Sequence, residues 1–177
     1  MNRRYFLTSS LALGAFAAFS RLPVVAAPSF QEAKGSGAGA KGIKKVSKSD
    51  EEWKRTLTPE QYSVARQKGT EAPFSSPLND IHDRGIFECV CCSLPLFSSK
   101  QKFDSGTGWP SFWAPIAKEN VQEEIDSSLS EIRTEVLCAR CDAHVGHVFP
   151  DGPKPTGLRY CMNGVAMKFV KRAEARP

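Results

Sequence analysis

The chain has 177 residues, 41% of them apolar and 24% charged, with a formal charge of +5. That length holds one domain plus a targeting or linking segment, and the composition excludes both a disordered tract and a membrane protein. The charge is unevenly placed: residues 1–27 carry three arginines and no acid, residues 28–48 carry five lysines against Glu32, and 16 basic and 18 acidic residues remain in 49–177. The folded part therefore has no basic excess to attract nucleic acid.

Residues 1–27 read as a signal peptide. Arg3 and Arg4 precede the apolar run Leu11–Phe19, and small residues follow at Ala26 and Ala27. Such a run is far too short to cross a bilayer, and the tripartite pattern is that of a cleaved export signal. Arg3-Arg4-Tyr5-Phe6-Leu7 resembles a twin-arginine signal. The expected destination is a periplasm or thylakoid-lumen type compartment, or the extracellular space, with no stable membrane span after cleavage. Residues 28–48, with Gly35-Ser-Gly-Ala-Gly-Ala-Lys-Gly42 and four further lysines around it, read as a solvated linker.

From Ser49 the chain predicts two short helices. Ser49 precedes Asp50-Glu51-Glu52, and Thr58-Pro59-Glu60-Gln61 has the form of a capping box with proline at its first position. Gly69 is the expected stop. Beyond Thr70 only short strand-like runs follow, at 85–90, 132–137, 158–161 and 165–170, separated by turn clusters such as Asp104-Ser-Gly-Thr-Gly108 and Pro150–Gly157. The predicted fold is mainly β: antiparallel sheets behind a helical N-terminus, ending in a tail over 173–177.

All six cysteines lie in the second half of the chain. Cys89-x-x-Cys92 and Cys138-x-x-Cys141 are paired at the spacing of zinc knuckles, where the two thiolates of one tight turn point at a single metal and two turns complete a tetrahedron. A closed four-thiolate shell leaves no open position, so one structural zinc ion is the favoured reading, over two disulfides or a redox-active Cys-x-x-Cys. Cys91 is a spare ligand, a bystander or a usable thiol. Cys161 has no partner in this scheme. If its strand is extended through Asn163, Arg159, Cys161 and Asn163 share a face; the arginine favours a thiolate, and Asn163 can hold a substrate oxygen. His144 and His147 are available as proton carriers, and His144 also stands at the spacing of a further ligand. A buried core cysteine is the bland alternative for Cys161.

Several motifs together resemble the B-type peptide-methionine (R)-S-oxide reductases: Gly69-Thr-Glu-Ala-Pro-Phe74, Leu94-Pro-Leu-Phe-Ser-Ser99, Asp104-Ser-Gly-Thr-Gly-Trp-Pro-Ser-Phe112, Cys138–Phe149 and Arg159-Tyr-Cys-Met-Asn163. The resemblance spans roughly 49–172. It implies two antiparallel β-sheets and thiol-dependent reduction of methionine (R)-sulfoxide in oxidised proteins, with Cys161 as the nucleophile that becomes a sulfenic acid. It implies His147 as the proton donor assisted by His144, Trp109 packed on the substrate methyl group, Arg159 depressing the Cys161 pKa, and Asn163, Asp151 and Phe149 lining the site. Thr107 stands where many members carry a resolving cysteine, so the implied reductant is an external thioredoxin-like or glutaredoxin-like partner, with attack by Cys91 as the other route. A monomer is expected. The rival readings are a non-enzymatic zinc module of the same fold, a cysteine hydrolase using Cys161 and His147, and a nucleic-acid-binding zinc protein.

Overall fold

The computed structural model describes residues 42–172; the signal, the linker up to residue 41 and the tail at 173–177 lie outside the described residues. Helices α1 (Asp50–Thr56) and α2 (Pro59–Gln67) open the fold, each with a complete capping box, Ser49 with Glu52 and Thr58 with Gln61. Each box satisfies two N–H groups that the first turn would otherwise leave unpaired, and the cap alone is worth about 1 kcal/mol. α2 ends one residue before the expected glycine, because Lys68 itself takes the left-handed conformation at φ 58°. Gly69 is still required: a Cβ there would stand 3.0 Å from the Ser63 carbonyl oxygen.

Nine strands follow: β1 (Gly85–Cys89), β2 (Pro95–Ser98), β3 (Lys102–Phe103), β4 (Ser111–Phe112), β5 (Val121–Asp126), β6 (Arg133–Cys138), β7 (His144–Phe149), β8 (Arg159–Met162) and β9 (Met167–Lys171). They form a three-stranded sheet in the order β2-β1-β9 and a six-stranded sheet in the order β3-β4-β8-β7-β6-β5, every pairing antiparallel. The expected strand over 165–170 starts two residues late, because Gly164–Ala166 form a 3₁₀ turn. β7 is central yet carries two histidines and a glycine, so no strand-like composition announces it. β5 is a polar edge strand, which guards against edge-to-edge pairing and removes the apolar alternation that marks most strands.

The core lies between the sheets. Phe97 of β2 stacks on Phe112 of β4 with ring centroids 4.5 Å apart, Phe87 meets Phe112 edge-on at 4.9 Å, and Tyr160 lies 5.7 Å from Phe97. Because side chains alternate along a strand, the partners of these residues face the other way. Tyr160 and Met162 point into the core, which leaves Arg159 and Cys161 on the outer face of the six-stranded sheet. α2 packs against β7 and the 164–166 turn. Among the described residues, no helix is long and apolar enough to cross a membrane.

Candidate active site and metal centre

The two cysteine pairs occupy turns built alike. The turn after β1 and the turn after β6 each close with the same hydrogen bond, Ser93 N–H to the Cys89 carbonyl and Asp142 N–H to the Cys138 carbonyl, both 2.9 Å. Ser93 and Asp142 both take positive φ, 59° and 57°. The sequence separates the pairs, and packing of one sheet on the other unites them: the four sulfur atoms lie within 4.8 Å of one another. Cys89 and Cys141 are 3.7 Å apart, and Cys92 and Cys138 3.5 Å. A tetrahedral metal with bonds of about 2.3 Å to sulfur would set its thiolates roughly 3.8 Å apart, so the arrangement fits such an ion. Cys91 is not one of the four, although its thiol faces Cys141.

Cys161 lies in β8 between Ser111 of β4 and His147 of β7, each directly opposite it in register. Glu135 of β6 is opposite His147 in turn, so Ser111, Cys161, His147 and Glu135 form one row across four strands on the outer face. The thiol is half-buried, and the Thr107 hydroxyl lies 3.8 Å from its sulfur. Burial pushes the Cys161 thiol above its ordinary pKa; the Thr107 hydroxyl and the Arg159 guanidinium pull it down without offsetting that cost. The Arg159 guanidinium acts in the expected direction, and burial outweighs it. The guanidinium is also shared, forming two hydrogen bonds of 2.9 and 2.8 Å with Asp151 and lying 4.5 Å over the Phe149 ring.

His144 and His147 are three residues apart, which in a regular strand would place them on opposite faces. Here β7 carries one extra residue at Val145, between the pairs Leu137–His144 and Val136–Gly146. That bulge returns both imidazoles to the Cys161 face, with their ring centroids 5.3 Å apart. Each leans on a carboxylate, and each carboxylate on a cation. His144 Nδ1 is 2.7 Å from Glu135, whose other oxygen accepts from Lys68 at 2.7 Å. His147 Nε2 is 2.8 Å from Asp126, which also accepts from Arg133 at 2.6 Å. Ser128 foremost, then His147 and Arg133, hold the Asp126 carboxyl well below the usual carboxylate range.

Asn163 does not continue the strand face. It follows β8, is buried, and spends its amide on backbone: its Oδ1 accepts from Glu71 N–H at 3.1 Å and its Nδ2 donates to the Val145 carbonyl at 3.3 Å. The group expected to hold a substrate oxygen instead ties the end of β8 to the bulge. Glu71 is a second tie, its buried carboxylate accepting from Gly164 and Val165 N–H at 2.6 and 2.8 Å. Its carbonyl accepts from the Trp109 indole N–H at 3.1 Å, which holds the half-buried ring beside the Thr107 turn.

The structure thus gathers Cys161, His147, His144, Arg159, Asp151 and Phe149 on one sheet face, with Asn163 and Trp109 fixed at its border. Glu135, Asp126, Lys68 and Glu71 were not foreseen. A lone acid in a strand or helix is ordinarily a solvated residue, and only the register shows that these meet buried partners.

Residues 57–171 match the SelR domain family. Across 125 residues the chain is 58% identical to the peptide methionine sulfoxide reductase MsrB of Hahella chejuensis, covering 71% of this chain and 90% of that protein. It is 58% identical over 130 residues to the protein of the same name from Pseudomonas fluorescens, and 59% over 130 residues to that from Pseudomonas putida strain GB-1. Both matches cover 73% of this chain, with 100% and 99% of the respective relative.

Proposed function

Since the chain belongs to the SelR domain family of peptide methionine sulfoxide reductases and reduces methionine sulfoxide, we propose that its substrate is the (R)-sulfoxide of methionine residues in oxidised proteins and that Cys161 carries the reaction. The observation that supports this assignment best is the register pair between Cys161 and His147, which sets a thiol and an imidazole side by side on a partly accessible face.

The Cys161 sulfur attacks the sulfoxide sulfur. As the oxygen passes to Cys161, the developing oxyanion needs a proton, because oxide is a very poor leaving group. His147 supplies it, oriented by Asp126. The balance is complete without a further reactant: the Cys161 thiol becomes a sulfenic acid, losing two electrons, while the substrate sulfur gains two and leaves as methionine. Trp109, held through its indole N–H by Glu71, offers a flat apolar face to the substrate methyl group. Arg159, divided between Asp151 and the thiol, supports negative charge at Cys161.

Thr107, 3.8 Å from the Cys161 sulfur, occupies the position where a resolving cysteine would act, so the sulfenic acid passes to an external thiol of a thioredoxin-like or glutaredoxin-like protein. Cys91, set against Cys141 at the metal turns, is poorly placed to replace it. The metal is zinc, held by Cys89, Cys92, Cys138 and Cys141; its role is to clip the turn after β1 to the turn after β6, with no part in the chemistry. Residues 1–27 act as a twin-arginine-like signal and 28–48 as a linker whose last residues dock on the domain, with Ile43 and Val46 packed against the core and Val46 N–H donating to the Arg140 carbonyl at 2.7 Å, and the exported protein works as a monomer.

The decisive experiment is an epimer-resolved assay with a dithiol reductant and an oxidised peptide, on protein whose zinc content has been measured. The wild type consumes the (R)-epimer alone and Cys161→Ser consumes neither. Activity surviving in Cys161→Ser would remove the nucleophile assignment.

A further inference from the structure

His144 is the most enclosed of the ionisable groups around Cys161. Its side chain is 3% exposed, and its Nδ1 is committed to Glu135 at 2.7 Å. Its Nε2, also buried, has no hydrogen-bond partner among the described residues. A buried polar nitrogen left unpaired is costly, so its presence on the face that carries Cys161 calls for a partner that arrives during the reaction.

The identity of that partner follows from protonation. The groups facing His144 are Glu135 from β6, His147 on its own strand and Lys68 at the end of α2. Burial drives the imidazole towards its neutral form, and Glu135 pulls the other way less strongly. Glu135 is itself 3% exposed and held by the Lys68 ammonium, which is 63% exposed. Ion-paired with Lys68 through one oxygen, the Glu135 carboxylate turns its other oxygen to Nδ1 as a hydrogen-bond acceptor. The single ring proton of neutral His144 must then sit on Nδ1, and Nε2 presents a bare lone pair. Lys68 reaches Glu135 from a left-handed residue, a conformation strained for any residue with a side chain. The chain accepts that strain where the expected glycine would have avoided it.

We infer that Lys68 and Glu135 are positioning residues that fix His144 as a hydrogen-bond acceptor, so that its Nε2 receives an O–H group formed or released at Cys161. A sulfoxide oxygen has no proton and cannot fill this place. The sulfenic acid hydroxyl on Cys161 can, and so can a water molecule. The two histidines then divide the work: His147 gives the proton and His144 holds the oxygen once it is protonated. This assignment rests on the reading of Cys161 as the nucleophile.

The test is nitrogen NMR of the imidazoles in the full chain, with wild type, Glu135→Gln, Glu135→Leu and Lys68→Met compared. The wild type is expected to show protonated Nδ1 and unprotonated Nε2 on His144. In Glu135→Gln the Lys68 ammonium takes the one amide oxygen and the NH2 group faces Nδ1, so the ring proton moves to Nε2, whereas Glu135→Leu leaves the tautomer unfixed; single-turnover sulfoxide reduction falls in both. Lys68→Met frees the second Glu135 oxygen from its partner and is expected to leave a mixture of tautomers on His144. One equivalent of methionine sulfoxide moves the Nε2 resonance if the donor is the sulfenic hydroxyl. A resonance that stays put on turnover shows that no O–H group formed at Cys161 donates to Nε2, and overturns the inference. A wild-type His144 protonated at Nε2, or a Glu135→Leu protein with unaltered tautomer and rate, overturns the inference. Failure of the enzymatic reading shows separately, as wild-type protein that leaves methionine sulfoxide unreduced whatever its tautomer.

Discussion

Restoring a thiol at position 107 is the most direct probe of the recycling step. The Thr107 hydroxyl is 3.8 Å from the Cys161 sulfur, and the two residues are 54 apart in the chain. In Thr107→Cys the introduced sulfur needs to move by a little under 2 Å to reach bonding distance, since a disulfide measures about 2.05 Å. The turn that carries it contains Gly106 and Gly108, both at positive φ, and a Cβ at Gly106 would meet nothing within 4 Å, so space for such a shift exists. Once Cys161 is a sulfenic acid, attack by the new thiol forms the disulfide and releases water. Closing a loop of 54 residues lowers the entropy of the unfolded chain by an amount worth at most about 4 kcal/mol, less whatever strain the bridge imposes. The assay adds one equivalent of methionine sulfoxide without reductant, then counts free thiols and traps sulfenic acid with a carbon nucleophile. Wild type is expected to retain a trappable sulfenic acid. The variant is expected to show none, to lose two thiols per turnover, and to unfold at a higher urea concentration after turnover than before. A variant that keeps its sulfenic acid and gains no stability would mean that Thr107 does not stand where a resolving group acts.

Two further outcomes follow from the geometry. With burial raising the Cys161 thiol and Arg159 lowering it, the rising limb of kcat/KM against pH is expected above the ordinary thiol value of about 8.5; Arg159→Met removes the lowering contribution and moves that limb to still higher pH, and a limb that stayed fixed or moved down would refute the role given to the guanidinium. Gly146→Ala places a Cβ 2.2 Å from the Cys161 carbonyl oxygen and 2.9 Å from the Met162 Cα, so β7 and β8 must separate; a loss of about 3 kcal/mol or more in urea denaturation is expected, together with lost activity in the fraction that remains folded.

The metal site could be read in advance because its chemistry is local. Two residues between cysteines suffice to aim both thiolates of one turn, and the second turn repeats the first. The helix starts were equally legible, since each capping box lies within four consecutive residues. Cys161 emerged as the candidate nucleophile because the zinc reading left it without a partner and its neighbours resembled a known family. The site around it depends on long-range register, which no local pattern encodes. Whether His144 and His147 share a face is decided by one extra residue in β7, and whether Glu135 meets a histidine or water is decided by the pairing of β6 with β7. The face assigned to Asn163 was misread because the chain leaves the strand at Met162 and turns into a 3₁₀ segment. The burial that opposes Arg159 at the Cys161 thiol acts through everything packed around it, whereas the arginine two residues away was the only influence visible along the chain. Residue types and short spacings settled which chemistry this protein carries; the strand register and the burial it creates settled which groups meet.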